Sequence, residues 1–184
     1  MPSRSETSPV FTVGHSTRPT EELIGLLKSH GVKRLIDVRT VPRSRRNPQF
    51  NRENFPAALE AEGITYTHMP GLGGFRRPRS DSPNLGWHNL SFRGYADYMQ
   101  TDEFEQHLAE LIEWARACPV AVMCAEAVPW RCHRSLIADA LLVRGVPVEE
   151  IVSPARTQPH KLTSFARVEG TKVTYPMQPK VGGS

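Results

Sequence analysis

Apolar positions in this chain fall into two rhythms, short β-rich runs and helical stripes, and the two alternate. Val10-Phe-Thr-Val13 is a compact β-rich run that ends at Gly14-His15-Ser16. Leu23, Leu26 and Leu27 then recur at helical spacing, with Thr20 as the expected N-cap, Glu21 and Glu22 in the first turn, and Gly31 as the stop. Arg34-Leu-Ile-Asp-Val-Arg39 reads as a second strand, emptying into a basic, proline-punctuated loop from Thr40 to Pro48. Asn51 or Asn54 caps a third element whose apolar face is Phe55, Ala58 and Leu59, up to Gly63. Ile64-Thr-Tyr-Thr-His68 alternates as a strand. Tyr95 to Ala117 predicts one helix or two short ones, with Phe104, Leu108, Leu111, Ile112 and Ala115 as the stripe. Val120 to Met123 is a fourth strand, Ser135 to Val143 a helix ended by Gly145, and Val148 to Val152 a fifth strand. Lys172-Val-Thr-Tyr175 adds an edge strand.

Alternating strands and helices predict an α/β fold. The expected architecture is a single domain over residues 10–176, with a mainly parallel Rossmann-like sheet of about five strands and helices on both faces. Residues 1–9 and 177–184 are polar or glycine-rich and read as flexible ends. The stretch from Met69 to Gly94, with Gly71, Gly73, Gly74, Gly86, Arg76, Arg77 and Arg79, is longer than an ordinary connection and reads as a Gly/Arg-rich lid.

In folds of this kind the loops leaving the carboxyl ends of the strands line the ligand crevice. Polar groups gather at those ends. His15 and Ser16 follow the first strand; Asp37, Arg39, Ser44, Arg45 and Arg46 close or follow the second; His68 ends the third; Cys124 and Glu126 follow the fourth. The expectation is that His15, Arg39, His68 and Cys124 face one common hollow. Arg39, Arg43, Arg45 and Arg46 make a local positive field suited to a phosphate or carboxylate. The plainer alternative is a solvated basic loop in which Asp37 merely holds Arg39.

Cys124-Ala-Glu-Ala-Val-Pro-Trp-Arg-Cys-His-Arg134 is the densest segment, and three readings stay open. In one, Cys124 is a nucleophile whose pKa is lowered by Arg131, Arg134 and the following helix. Six residues separate Cys124 from Arg131 and the loop lacks glycine, so it departs from a phosphatase-like cradle. In the second, Cys124, Cys132 and His133 hold zinc or iron with His15 or His68. In the third, Glu126, His133 and His15 do acid–base or binding work and the cysteines are small buried residues. Phe75, Trp87 and Phe92 lie among Arg76, Arg77, Arg79 and Arg93, a pattern that suits stacking with nucleic-acid bases or, alternatively, pinning of the loop to the core.

Composition narrows the classes. The 184 residues are 39% hydrophobic and 23% charged, as in ordinary soluble proteins. No run approaches the ~18 apolar residues of a membrane helix. The polar start, without a signal-like apolar stretch, predicts a cytoplasmic protein. Three cysteines suggest free thiols, Cys118 being the inert one. The net charge is +4, and Arg far outnumbers Lys, which points to an anionic small molecule or nucleic acid as partner. An Arg-favouring genome would produce the same excess.

Several of these pieces together resemble the domain of unknown function 488 family. They are Thr12-Val-Gly-His-Ser16, Asp37-Val-Arg39 with Pro42 and Ser44, Gly63 to His68 with Leu72-Gly-Gly74, Tyr95 with Met99, Met123-Cys-Ala-Glu126 leading to Cys132-His-Arg134, and His160-Lys-Leu-Thr163. The resemblance runs from about residue 10 to 176. It implies a compact α/β domain and names no reaction and no cofactor. The expectation is a protein that binds a phosphate-bearing substrate such as a nucleotide or nucleic acid; whether it also turns that substrate over stays open, and if it is an enzyme it is a hydrolase or transferase. Asp37, Arg39, Ser44, Arg45, Arg46, His68, Arg131 and Arg134 would bind it; Cys124, Glu126, His133 and His15 would carry any chemistry. A non-catalytic nucleic-acid-binding module and a metal-binding or redox protein are the alternatives.

Overall fold

Five of the apolar runs become parallel strands of one sheet: β1 (Val10–Gly14), β2 (Arg34–Asp37), β3 (Thr65–His68), β4 (Val120–Cys124) and β5 (Val148–Ser153). A sixth, β6 (Arg156–Pro159), turns back antiparallel to β5, and the order is β3-β2-β4-β1-β5-β6. The structure is a computed structural model that describes residues 8–179. The ends expected to be flexible, 1–9 and 177–184, fall mostly outside those residues.

Both β1 and β4 are buried at every position, as unbroken apolar runs in a sheet covered on two sides must be. Gly14 pairs with Cys124, Asp37 with Met123, and Asp37 with His68. The carboxyl ends of four strands therefore finish level along one edge.

Helices α1 (Thr20–Ser29) and α2 (Phe55–Glu60) cover one face, packing Leu23, Leu27, Phe55 and Leu59 on Phe11, Val13, Leu35 and Met123. Helices α3 (Leu90–Tyr98), α4 (Asp102–Ala117) and α5 (Arg134–Leu142) cover the other, over Val10, Ile36, Val38, Val122 and Cys124. Each fully buried Leu or Phe contributes about 1.5–3 kcal/mol. No helix among the described residues is long and apolar enough to cross a membrane.

Three expectations are corrected. Thr20 is the first helical residue rather than the cap, and Pro19 precedes it with no side-chain cap bond. Helix α3 begins at Leu90, ahead of Tyr95, because the Asn89 side chain accepts from the amides of Ser91 and Phe92 and so starts the helix there. Lys172 to Thr174 is not the edge of the main sheet. It forms β8 (Lys172–Thr174) and pairs with β7 (Arg167–Glu169) in a separate ribbon, and the edge belongs to β6.

The stretch between β3 and α3 is tied down by one carboxylate. Asp97 accepts from the Arg79 amide at 2.7 Å, Ser82 Oγ at 2.6 Å and Asn84 Nδ2 at 2.7 Å. Trp87 packs edge-on against Phe92 and Phe165 and tilted against Tyr175, so it anchors the segment inward. The C-terminal segment is held the same way: Asp139 of α5 accepts from His160, the Thr163 amide and the Tyr175 hydroxyl.

Candidate functional site

The chain leaves β2 toward β3 through α2 on one face, and leaves β4 toward β5 through α5 on the opposite face. Adjacent strands whose exits diverge leave a crevice at their carboxyl ends, the usual ligand position of open α/β sheets. Two polar clusters flank it, one on each face.

The first cluster is built on Asp37, the last residue of β2, which is fully buried. Its carboxylate receives Arg39 Nε at 2.9 Å and Nη2 at 2.7 Å, the Arg39 amide at 3.1 Å, and the Tyr66 hydroxyl at 2.5 Å. Arg39 Nη2 also donates to the Phe50 carbonyl at 2.7 Å, so the pair fixes the loop that follows β2. Burial and the adjacent Asp37 push the Tyr66 phenol up, which keeps it a donor. His15 donates from Nδ1 to the Ser16 carbonyl at 2.8 Å. That leaves Nε2 as the acceptor facing Arg39 Nη1 at 3.4 Å, while the ring stacks on Phe50 with centroids 4.5 Å apart. Burial, aided by Arg39, holds the His15 pKa below its ordinary value. His68 Nε2 donates to the Arg39 carbonyl at 2.8 Å.

The second cluster centres on Arg134, which has no exposed surface. Nη1 donates to Cys124 Sγ at 2.7 Å and to the Glu126 carbonyl at 2.6 Å; Nη2 donates to the Ala127 carbonyl at 3.1 Å and to Glu150 Oε1 at 2.7 Å; Nε points at Glu150 Oε2. All five guanidinium hydrogens are engaged, so Arg134 has none left for an anion. Burial alone would raise the Cys124 pKa, but the Cys132 thiol and the Arg134 charge outweigh it and hold Cys124 below the ordinary thiol range. Burial and the adjacent Cys124 push Cys132 well up. His133 donates from Nε2 to the Val38 carbonyl at 3.1 Å, bridging α5 to the end of β2, and burial pushes its pKa down to about 4.

The single hollow expected from sequence is thus divided by the sheet. Met123 and Cys124 point to opposite faces, so the His15–Arg39–Asp37 cluster and the Cys124–Arg134–Glu150 cluster lie back to back. Of the expected metal set, Cys124 and Cys132 share one face with His133 beside them while His15 belongs to the opposite cluster, and no three His, Cys, Asp or Glu side chains among the described residues form a group that could hold an ion. Of the other candidates, Ser44 is a loop organiser: its amide donates to Asn51 Oδ1 and its Oγ accepts from the Asn47 amide. Arg45, Arg46, Arg131 and the Glu126 side chain are exposed on the rim. Trp87 and Phe92 face inward, while Phe75 faces out, 86% exposed.

The model of the family described as "Domain of unknown function DUF488" matches residues 19–141. The chain belongs to that family. No curated protein and no solved structure matches it. The matched span of this DUF488 domain holds Asp37, Arg39, Cys124 and Arg134, while His15 and Glu150, which complete the two clusters, lie outside it.

Tyr66, Phe50 and Glu150 belong to the two clusters and were not among the residues expected from the sequence. Glu150 carried a signal, since an acid in the apolar run Val148 to Val152 needs a buried partner. Tyr66 carried a weaker one: it shares strand alternation with His68. Gly14 is required at the end of β1 because a Cβ there would sit 1.6 Å from the Glu126 carbonyl oxygen, so the loop after β4 lies flat on that glycine.

Proposed function

We propose that the carboxyl edge of the sheet binds a phosphate-bearing ligand, a nucleotide or a nucleic acid. One observation carries this reading. The side chains of Arg43, Arg45, Arg46 and Arg52 after β2, Arg77 after β3 and Arg131 after β4 are exposed and make no hydrogen bond or salt bridge among the described residues. Other surface arginines are neutralised: Arg18 by Glu22, Arg79 by Asp81, Arg116 by Glu113, Arg144 by Glu105 and Arg167 by Glu169. Among the described residues only Arg156, on β6, is likewise unpaired outside these loops. A bias in overall Arg content would spread unpaired charge over the whole surface. Here it gathers on the loops around the strand exits, where its guanidinium forks fit phosphate oxygens. Asp37 with Arg39 and Arg134 with Glu150 are then the supports that shape those loops.

The test is binding of fluorescently labelled oligonucleotides and nucleotides at several salt concentrations. Wild-type affinity should fall steeply with salt. Arg45→Ala/Arg46→Ala should weaken binding about tenfold and lower the salt slope by about one per arginine removed, with Arg156→Ala as the unchanged control. Salt-independent binding, or an Arg45→Ala/Arg46→Ala variant that binds like wild type, overturns the reading.

A further inference from the structure

We infer that the ligand at this edge is a single-stranded nucleic acid whose bases stack on Phe75 and Trp130. The inference rests on the phosphate-binding reading and adds the feature that selects the ligand. Phe75 is 86% exposed and Trp130 is 70% exposed. Every other Phe, Trp and Tyr among the described residues is buried or half-buried.

Phe75 is held where it is. Its φ is 58°, in the left-handed region that a residue with a Cβ rarely adopts. The backbone on either side is clamped. A Cβ on Gly73 would meet Thr40 Oγ1 at 2.6 Å, and one on Gly74 would meet His133 Nδ1 at 3.2 Å. Thr40 Oγ1 donates to the Gly74 carbonyl at 3.1 Å, and the Arg76 guanidinium lies 3.7 Å from the centre of the Tyr98 ring. Glycine would serve this backbone better than phenylalanine, and the 86% exposed ring joins no aromatic pair of the fold. Strain without a folding return, placed at a strand-exit crevice, points to a contact made with a ligand.

Trp130 sits in a single turn, Pro129–Arg131, whose approach is fixed by the bonds from Arg134 to the Glu126 and Ala127 carbonyls. It walls a cleft of about 200 Å³ shared with Lys161 and Gln158. A short path joins the two rings. Gly74, next to Phe75, abuts His133, and His133 is three residues from Trp130, a span of at most about 11 Å. Each ring stands beside an unpaired arginine, Arg77 or Arg131. Rigid exposed rings interleaved with free guanidiniums match unstacked bases on a phosphate backbone; a duplex, its bases already stacked, offers only the phosphates.

The decisive comparison is anisotropy of a labelled single strand of about 12 nucleotides against the duplex of the same sequence. The single strand should bind at least tenfold more tightly and quench tryptophan emission, and the quench should vanish in Trp130→Phe. Phe75→Ala should lose about tenfold in single-strand affinity and nothing in duplex affinity. Phe75→Gly guards against a folding artefact: it should raise Tm by removing strain while losing the same affinity. Equal affinity for the two forms, with Phe75→Ala and Trp130→Phe unchanged but Arg45→Ala/Arg46→Ala weakened, overturns the stacking inference and leaves the phosphate reading standing. Failure of the single strand, the duplex and free nucleotides alike to bind overturns both.

Discussion

Arg134 is the residue on which the Cys124 side of the edge depends. It is fully buried, and it joins Glu150 of β5, the Cys124 sulfur and two carbonyls of the loop after β4. Removing it leaves a nearly buried carboxylate and two carbonyls without their partner. Arg134→Ala should therefore destabilise the fold by about 3–5 kcal/mol in urea unfolding. Arg134→Lys should rescue little, because one ammonium with three donors cannot serve acceptors spread across a planar fork. A loss below about 1 kcal/mol would show that the loop is held by something else. The Asp37–Arg39 pair was legible in sequence, since an acid and a base two apart at a strand end share a face. The partner of Arg134 was not. Glu150 is sixteen positions away, and nothing local says which of Glu149 and Glu150 turns inward.

Elements were legible wherever an apolar rhythm was strong. The five parallel strands and helices α1 and α5 follow from it. β6 and β7 were missed because exposed polar strands carry no alternation to read, and β8 was read as a strand but assigned to the wrong sheet. The junction between β1 and the loop after β4 gives a sharp contrast between two glycines. Gly14 has the Glu126 carbonyl where its Cβ would be, whereas Gly25 of α1 has nothing within 4 Å. Gly14→Ala should displace the loop and cost about 1–3 kcal/mol or more. Gly25→Ala should stabilise α1 by about 0.5–1 kcal/mol, since it only removes backbone freedom from the unfolded chain. Thermal melts of the two variants check both signs. Matching shifts in the same direction would mean that the loop does not rest on Gly14.

For the whole molecule, the relation between neighbouring strands is what sequence could not supply. A period of two assigns side chains to alternate faces of one strand, but it does not say which face of the next strand they join. Hence the strand-end residues were identified while their division between two faces was not. That division has a consequence for acid stability. His15 on one face and His133 on the other each serve as neutral rings, and burial lowers both pKa values, that of His133 to about 4. In the unfolded chain both protonate near the ordinary pKa of about 6.5. Below that pH the unfolded state binds more protons than the fold, so stability is fully present above about 6.5 and falls as pH drops toward 4. His133 alone accounts for a loss on the order of 3 kcal/mol across that window. His133→Gln keeps a donor for the Val38 carbonyl and removes the titration, so its stability should vary less between those pH values than that of wild type. Urea unfolding in a pH series measures the difference. Parallel curves for wild type and His133→Gln would mean that the bridge from α5 to β2 tolerates a charged ring, and that the acid sensitivity of the fold arises elsewhere.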